Sequence, residues 1–275
     1  DQHFINIANS FVFNVTLPCL LFFSIAGTPL SHASNIPLFL FGAFITLGSA
    51  LLFWLVSLVL IETDKRGVFI QGAFRGNLGI IGIALVFNAY GTEMLAVASL
   101  YMALIAIIDN PLSIIILSPK GQKSHKSILT NPIIIAVFLG LVFSGLHVSI
   151  PTFINQSGQY LAQMTLPLAL ICIGGSLYWE NFQSHSKDVI WATLCKLLLL
   201  PLLGTALAIY LGFRDKELGL IYLMLSSPTA VSSYIMAKKM TLHGTIAAEI
   251  IALSTASSIP VITLGLILLQ ATGYL

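Results

Sequence analysis

Charge is scarce in this sequence. Only 8% of its 275 residues are Asp, Glu, Lys or Arg, whereas 57% are hydrophobic, and the mean hydropathy is +0.97. Because soluble domains carry about 25% charged residues, this composition predicts an all-α polytopic membrane protein. The net charge of +2 is too small to indicate a nucleic-acid partner, and no polar domain remains to carry a soluble active site.

The residue patterns of metal centres and intramembrane hydrolases are also missing. The cysteines Cys19, Cys172 and Cys195 lie in apolar segments without paired spacing, which favours buried packing over a disulfide or zinc site. The apolar runs contain one Asp and no His-Glu-x-x-His motif. We therefore expect no enzymatic activity, no cofactor and no metal. The chain starts at Asp1 without a signal peptide pattern, so we expect a trimmed N-terminus.

Long apolar runs are abundant. About 20 apolar residues cross a bilayer, and this criterion predicts nine spans at 4–27, 36–61, 67–90, 94–117, 131–148, 154–177, 189–212, 218–237 and 245–269. Basic residues are concentrated in the loops after even-numbered spans, and basic loops face the cytoplasm. We therefore expect the N-terminus of this chain in the cytoplasm and its C-terminus outside.

Two of these spans are interrupted by polar or small residues. Residues 225–237 contain four Ser, one Thr and one Pro, and residues 76–84 contain three Gly and one Asn. In the hydrocarbon layer a broken helix is tolerated only where it is buried in protein or lines a wet cavity. Close helix packing through small residues is the alternative explanation. We favour two discontinuous helices that form one site.

An internal repeat relates these two segments. Thr16-Leu17-Pro18 recurs as Thr165-Leu166-Pro167, an offset of 149 residues that also places Asn77 on Ser226. Corresponding spans are five apart, so the two copies have opposite orientations, as in the inverted repeats of secondary transporters. The fifth span has no partner, from which we infer a ten-span parent, five plus five, that appears here as four plus five without its first helix.

Short motifs in this order resemble the auxin efflux carrier family, which includes the plant PIN-FORMED exporters and bacterial malate or malonate permeases. The resemblance covers essentially the whole chain. Its motifs are Leu17-Pro18-Cys19-Leu20-Leu21-Phe22, Phe74-Arg75-Gly76-Asn77, Gly82-Ile83, Asn131-Pro132, Leu166-Pro167-Leu168-Ala169-Leu170, Gly174-Gly175-Ser176-Leu177, Lys196-Leu197 to Pro201, Pro228 to Ala237-Lys238, and Leu253-Ser254-Thr255.

The resemblance implies a fold similar to sodium/proton antiporters and bile-acid symporters, in which a transport domain with two crossed broken helices moves against a scaffold. By that likeness the scaffold is 1–30 and 131–178, the transport domain is 36–117 and 188–270, and 118–130 is a cytoplasmic linker. We expect a homodimer in the plasma membrane, or the inner membrane of a bacterium. Family members tend to have a proline in each broken helix, where this chain has Ala84 and Ser233.

The predicted substrate site lies where the two segments cross. Half-helix N-termini expose N–H groups and the positive end of the helix dipole, so they attract a carboxylate. For Asn77, which matches a substrate-site asparagine of the family, a capping bond to its own backbone is an alternative role. The expected substrate-binding residues are Gly76, Asn77, Gly79, Gly82, Ser226, Ser227, Pro228, Ser232 and Ser233.

Four ionisable residues within the predicted spans are expected to serve in proton coupling or charge pairing, because charge inside a membrane is functional by default. They are Arg75, Asp109, Lys196 and Glu249. Asp109 should be neutral, paired with one of the two cations, or a proton carrier. Snorkelling to the surface is the alternative for Arg75 and Lys196, and simple solvation is the alternative for Glu249.

Together these features predict a secondary transporter that moves a small organic carboxylate anion by alternating access. A sodium-coupled symporter of the same fold is one alternative, since serine hydroxyls and backbone carbonyls can hold sodium. A cation/proton antiporter is another, although neither broken segment contains the carboxylate that such chemistry usually needs. A channel or a membrane sensor is the alternative from a different class.

Overall fold

Helices make up the regular structure in the part of the chain that the structure describes. The computed structural model describes residues 2–27, 35–118, 132–176 and 186–275, so all but the first residue of the predicted linker 118–130 lies outside the described ranges. The prediction of an all-α polytopic membrane protein is confirmed. The helices are α1 (Gln2–Phe11), α2 (Leu17–Ala26), α3 (Ile36–Leu60), α4 (Arg66–Phe74), α5 (Ile83–Leu117), α6 (Pro132–Gly145), α7 (Thr152–Ser176), α8 (Ser186–Leu194), α9 (Leu200–Tyr210), α10 (Asp215–Ser226), α11 (Val231–Met240) and α12 (Gly244–Ala271).

Several stretches are long and apolar enough to cross a membrane by themselves. Among the described residues these are Ile36–Leu60, Leu100–Leu117, Lys187–Tyr210 and Gly244–Ala271. At 1.5 Å per residue, the 25 residues of α3 exceed the ~30 Å of a hydrocarbon core. Large apolar side chains such as Leu40 and Phe44 are exposed on α3, as a lipid-facing surface requires.

Local sequence explains where α3 begins. The side chain of Asn35 accepts a hydrogen bond from the backbone N–H of Leu38, which satisfies one of the free donors at a helix N-terminus. Pro37 occupies the first turn, where its missing N–H removes no helical bond.

Prolines explain two wide turns inside spans. Within the described ranges, π-helical turns at Val12–Thr16 and Cys195–Leu199 each end two residues before a proline, Pro18 or Pro201. A proline ring clashes with the carbonyl four residues earlier and supplies no N–H, and a wider turn relieves the clash. As a result, α1 and α2 form one continuous span, as do α8 and α9.

A single glycine joins the predicted third and fourth spans. The sequence predicts a short connection between 67–90 and 94–117, and within Ile83–Leu117 two helices meet there at a kink, where Gly91 has φ 68° and ψ −157°. Backbone with φ above zero strains residues that carry a Cβ atom, so glycine suits this position. The two predicted spans therefore meet without a loop.

The helix contacts show that the broken helices lie in the interior of the protein. Helix α2 packs against α6 and α7, whereas α4 packs against α3, α5 and α8, and α12 packs against α8 and α11. The half-helix α11 also contacts α7 and the turn Val12–Thr16. The division into scaffold and transport domains and the inverted orientation of the repeat stay predictions.

Candidate functional site

The two predicted interruptions meet in space. Helix α4 gives way to extended backbone at 75–77, and α10 does so at 227–230. The two breaks pair as a one-residue antiparallel bridge between Gly76 and Thr229. Two backbone hydrogen bonds accompany it: Asn77 N–H to Pro228 O at 2.7 Å, and Ala230 N–H to Arg75 O at 3.1 Å. The segments singled out by sequence therefore form one crossing.

Side chains satisfy backbone groups that the breaks leave without helical partners. A carbonyl at a helix end loses the N–H four residues later, and in an apolar layer it needs another donor. The replacement donors are Thr229 Oγ1 to Gly72 O at 2.7 Å, Ser227 Oγ to Met224 O at 2.7 Å, and Lys196 Nζ to Leu225 O at 2.8 Å. These side-chain hydrogen bonds therefore stabilise the crossing.

Close packing favours glycine at position 76. A Cβ atom there would lie 2.6 Å from Ser227 Oγ and 3.1 Å from Lys196 Nζ. At Gly79, by contrast, the nearest atom to an added Cβ is Met102 Sδ at 3.8 Å. Steric crowding therefore explains glycine at position 76, whereas position 79 has room for a Cβ atom.

A cavity of about 110 Å³ lies between the crossing and the helices α2 and α7. Its wall is largely apolar, with Leu17, Leu20 and Leu21 contributed by α2. The polar lining residues are Arg75, Asn77, Asp109, Asn110, Thr165 and Ser232. Because one water needs only about 10–15 Å³ on this measure, the cavity has room for a small organic solute.

Two helical segments begin at this cavity. Asn77 and Gly79 line it at the start of the turn Leu78–Gly82, and Ala230 and Ser232 line it at the start of α11. The first N–H groups of a helix have no intrahelical partner and carry the positive end of the helix dipole. The Asn77 side chain is 6% exposed and lines the cavity, and the capping role considered above stays an alternative. Both features suit an anion.

Arg75 points into the protein. Its side chain is 5% exposed, and Nη2 donates to Asn110 Oδ1 at 2.6 Å while Nη1 donates to Ser113 Oγ at 3.3 Å. Nη1 also lies 2.7 Å from Met236 Sδ. These contacts hold the guanidinium at the cavity wall, which is inconsistent with snorkelling of this side chain to the surface.

Asp109 lies between two cavities. It is 6% exposed and lines the main cavity together with a second, smaller one of about 20 Å³, which has room for about one water. Lys196, 1% exposed, and Tyr101 border the smaller cavity. Asp109 is close enough to Arg75 and Lys196 for the charges to interact, yet its Oδ1 atom has no hydrogen-bond partner among the described residues.

The predicted site residues divide into groups by position, and their roles stay predictions. Gly76, Asn77, Gly79, Ser232, Arg75 and Asp109 line the main cavity, and Lys196 lines the smaller one. Gly82 packs against Met224, while Ser226, Ser227, Pro228 and Ser233 lie in or beside the crossing but outside the lining of both cavities. Glu249 is buried in α12 and borders neither cavity.

Two polar lining residues were not among the predicted site residues. Asn110 follows Asp109 directly and accepts the hydrogen bond of Arg75. Thr165 belongs to the repeated Thr-Leu-Pro motif, and that repetition was the signal that marked it. Asn110 carried no comparable signal, since its role depends on a contact between two separate helices.

Comparison with known proteins identifies the family. The family described as "Membrane transport protein" matches residues 2–130 and 121–266. The chain belongs to this family. The predicted resemblance to auxin efflux carriers and malonate permeases is thereby confirmed at the level of the family, and the protein is a multi-pass membrane protein of a transporter family.

Relatives of this membrane transport protein align over nearly its whole length. An uncharacterized transporter of Methanothermobacter thermautotrophicus is 25% identical over 91% of this chain and 84% of its own length. A protein named "Putative malonate transporter" from Rhizobium meliloti is 24% identical over 97% and 87%. An uncharacterized transporter of Methanocaldococcus jannaschii is 24% identical over 96% and 90%.

Proposed function

We propose that this protein is a secondary transporter of a small organic carboxylate anion, with its substrate site in the cavity at the crossing. The observation that carries the proposal is the convergence of two helical N-termini on one cavity that Asn77 also lines. N–H groups and helix dipoles bind a carboxylate without a dedicated cation. Arg75, held at the wall by Asn110, adds positive charge.

Proton coupling is the second part of the proposal. An ionised Asp109 at the cavity wall repels an incoming carboxylate, whereas a protonated Asp109 donates a hydrogen bond to it. Anion and proton therefore bind together and cross together. The smaller cavity, which Asp109 and Lys196 both line, has room for about one water beside this carboxyl group.

In the alternating-access mechanism that we propose, the transport domain (36–117 and 188–270) moves against the scaffold (1–30 and 131–178). The same proposal places the N-terminus of this chain in the cytoplasm and its C-terminus outside the plasma membrane, in a homodimer. Single cysteines introduced at the exposed Lys239 and Lys216 test the orientation, because a membrane-impermeant thiol reagent should reach them from opposite faces. Reaction of both from one face would refute it.

Ligand binding to the purified full-length protein tests the substrate class. Malonate, which gives the Rhizobium relative its name, is the first probe. Malonate should raise the melting temperature more at the lower of two pH values, and sodium or potassium alone should not. Asn77→Ala should remove this stabilisation. Asn88→Ala is the matched control, since Asn88 is exposed and donates to Ala84 O on the same helix.

Two outcomes would count against the proposal. Stabilisation by cations in the absence of any carboxylate would favour a cation transporter of the same fold. Loss of malonate stabilisation in Asn88→Ala to the same extent as in Asn77→Ala would show that the effect does not arise from the cavity. Uptake into proteoliposomes against a concentration gradient separates a carrier from a channel.

A further inference from the structure

The two copies of the Thr-Leu-Pro motif each contain a buried threonine hydroxyl that has no hydrogen-bond partner among the described residues. Thr165 in α7 lines the main cavity and is 6% exposed, and Thr16, in the turn before α2, is 0% exposed. Neither Oγ1 atom has a hydrogen-bond partner among the residues that the structure describes. The sequence repeat makes these two threonines equivalent.

A threonine hydroxyl inside a helix has a possible partner within reach on its own helix. Such a hydroxyl commonly bonds to the carbonyl of the preceding turn. Thr241, Thr263 and Thr272 do this here, with distances of 2.8, 2.9 and 2.8 Å to the carbonyl four residues earlier. Thr165 and Thr16 therefore keep a hydrogen-bonding group that their own helices do not use.

Position distinguishes this pair from other buried threonines. Thr193 and Thr205 also lack partners within the described ranges, but they lie on α8 and α9 and line neither cavity. Thr16 lines neither cavity either, and it differs from these two by lying in a turn that packs against α11. The half-helix α11, whose first residues line the main cavity, contacts both α7 and the turn that contains Thr16. Leu17, the neighbour of Thr16, already lines the cavity.

We propose that Thr165 and Thr16 contact the substrate in turn, Thr165 in the conformation seen here and Thr16 in the conformation open to the other side. The inference rests on the proposed transport function. In a carrier built from an inverted repeat, a pseudo-two-fold axis in the membrane plane relates equivalent residues, so rocking about a fixed site opens it toward each of them in turn. A rotation about χ1 exchanges the hydroxyl and methyl positions of threonine, so either residue can present its hydroxyl without backbone movement.

This arrangement also narrows the substrate class. One end of the cavity binds a carboxylate at the helical N-termini, and Thr165 lies on the wall contributed by α7. The substrate is then a small carboxylate with a second hydrogen-bonding group, such as a hydroxyl, a carbonyl or another carboxyl group. A site built to hydrogen-bond such a group discriminates against the analogue that lacks it. Malonate and propionate are a matched pair of probes.

Transport measured from each face of oriented proteoliposomes tests the pair. Thr165→Val should raise the KM for malonate roughly tenfold from one face only, because one hydrogen bond to a charged group is lost. Thr16→Val should do so from the other face only, Thr165→Ser should keep the wild-type value, and Thr205→Val should change neither face. An unchanged KM in Thr165→Val, or the same face affected by both variants, would overturn the inference.

Thiol labelling gives a second test that does not require transport. In a chain with Cys19, Cys172 and Cys195 replaced by Ser, single cysteines at 165 and 16 should react with an impermeant maleimide from opposite faces. Malonate should protect position 165. Labelling from the same face would overturn the inference even if malonate is transported. If the two positions are labelled from opposite faces but the wild type does not bind malonate, the proposed substrate is wrong. The alternating exposure of Thr165 and Thr16 is then still supported.

Discussion

Lys196 Nζ donates a hydrogen bond of 2.8 Å to the backbone oxygen of Leu225, at the end of the half-helix α10. That carbonyl has lost its helical partner because the chain leaves the helix two residues later. The C-terminal end of a helix carries partial negative charge, which favours a nearby cation. A buried lysine on one helix therefore stabilises the broken end of another.

Lys196→Met should destabilise the protein. Methionine fills a similar volume but leaves Leu225 O without its donor, and an unsatisfied buried carbonyl costs about 1–3 kcal/mol. A lower melting temperature of the purified protein in detergent is the expected result. Lys239→Met is the control, because Lys239 is exposed at the end of α11. An equal effect of both changes would show that the bond to Leu225 does not matter.

Gly76→Ala should disrupt the crossing. The added Cβ would lie 2.6 Å from Ser227 Oγ, so the Ser227 side chain would have to give up its bond to Met224 O or the two breaks would have to separate, and overpacking of this kind costs about 1–3 kcal/mol. We expect a lower melting temperature together with the loss of malonate stabilisation. Gly48→Ala provides the comparison, since no atom lies within 4 Å of a Cβ at this exposed position on α3. That variant should be at least as stable as the wild type.

Asp109→Asn should remove the pH dependence of uptake. In the wild type, uptake should increase as the pH falls, because only the protonated carboxyl donates to the substrate. Asparagine has no proton to release, so the variant should transport malonate at a rate independent of pH and without proton movement. Initial rates over a pH series, with a pH-sensitive dye inside the vesicles, measure both. The control is Asp215→Asn, an exposed residue at the start of α10. A variant that still moves protons would assign coupling to another group.

The crossing shows how far sequence reasoning reached. Both breaks were predictable because glycine, serine and proline interrupt an apolar run, which is a local signal. Their meeting was predictable from the 149-residue repeat. The orientation of individual side chains was not, because it depends on the angle at which each half-helix leaves the break. Ser232 lines the cavity, whereas Ser233, the next residue, is buried outside its lining.

The hydrogen-bond partners of the buried charged residues were likewise not predictable from the sequence. Hydropathy identified Arg75 and Asp109 as residues inside spans, and their chemistry suggested pairing. The hydrogen bonds of Arg75 go to Asn110 and Ser113, two residues on α5 that present no distinctive pattern in the sequence. Which partner a buried cation takes depends on the packing of α4 against α5.

By itself, the sequence determined the membrane location of the chain, the positions of its apolar helices and the places where two of them break. These properties follow from local hydropathy and from the backbone preferences of glycine, proline and serine. Only the tertiary structure decided which groups satisfy the breaks, for example the bond between Lys196 and Leu225, which are 29 residues apart. Such contacts depend on how separate helices pack, and no local pattern encodes that geometry.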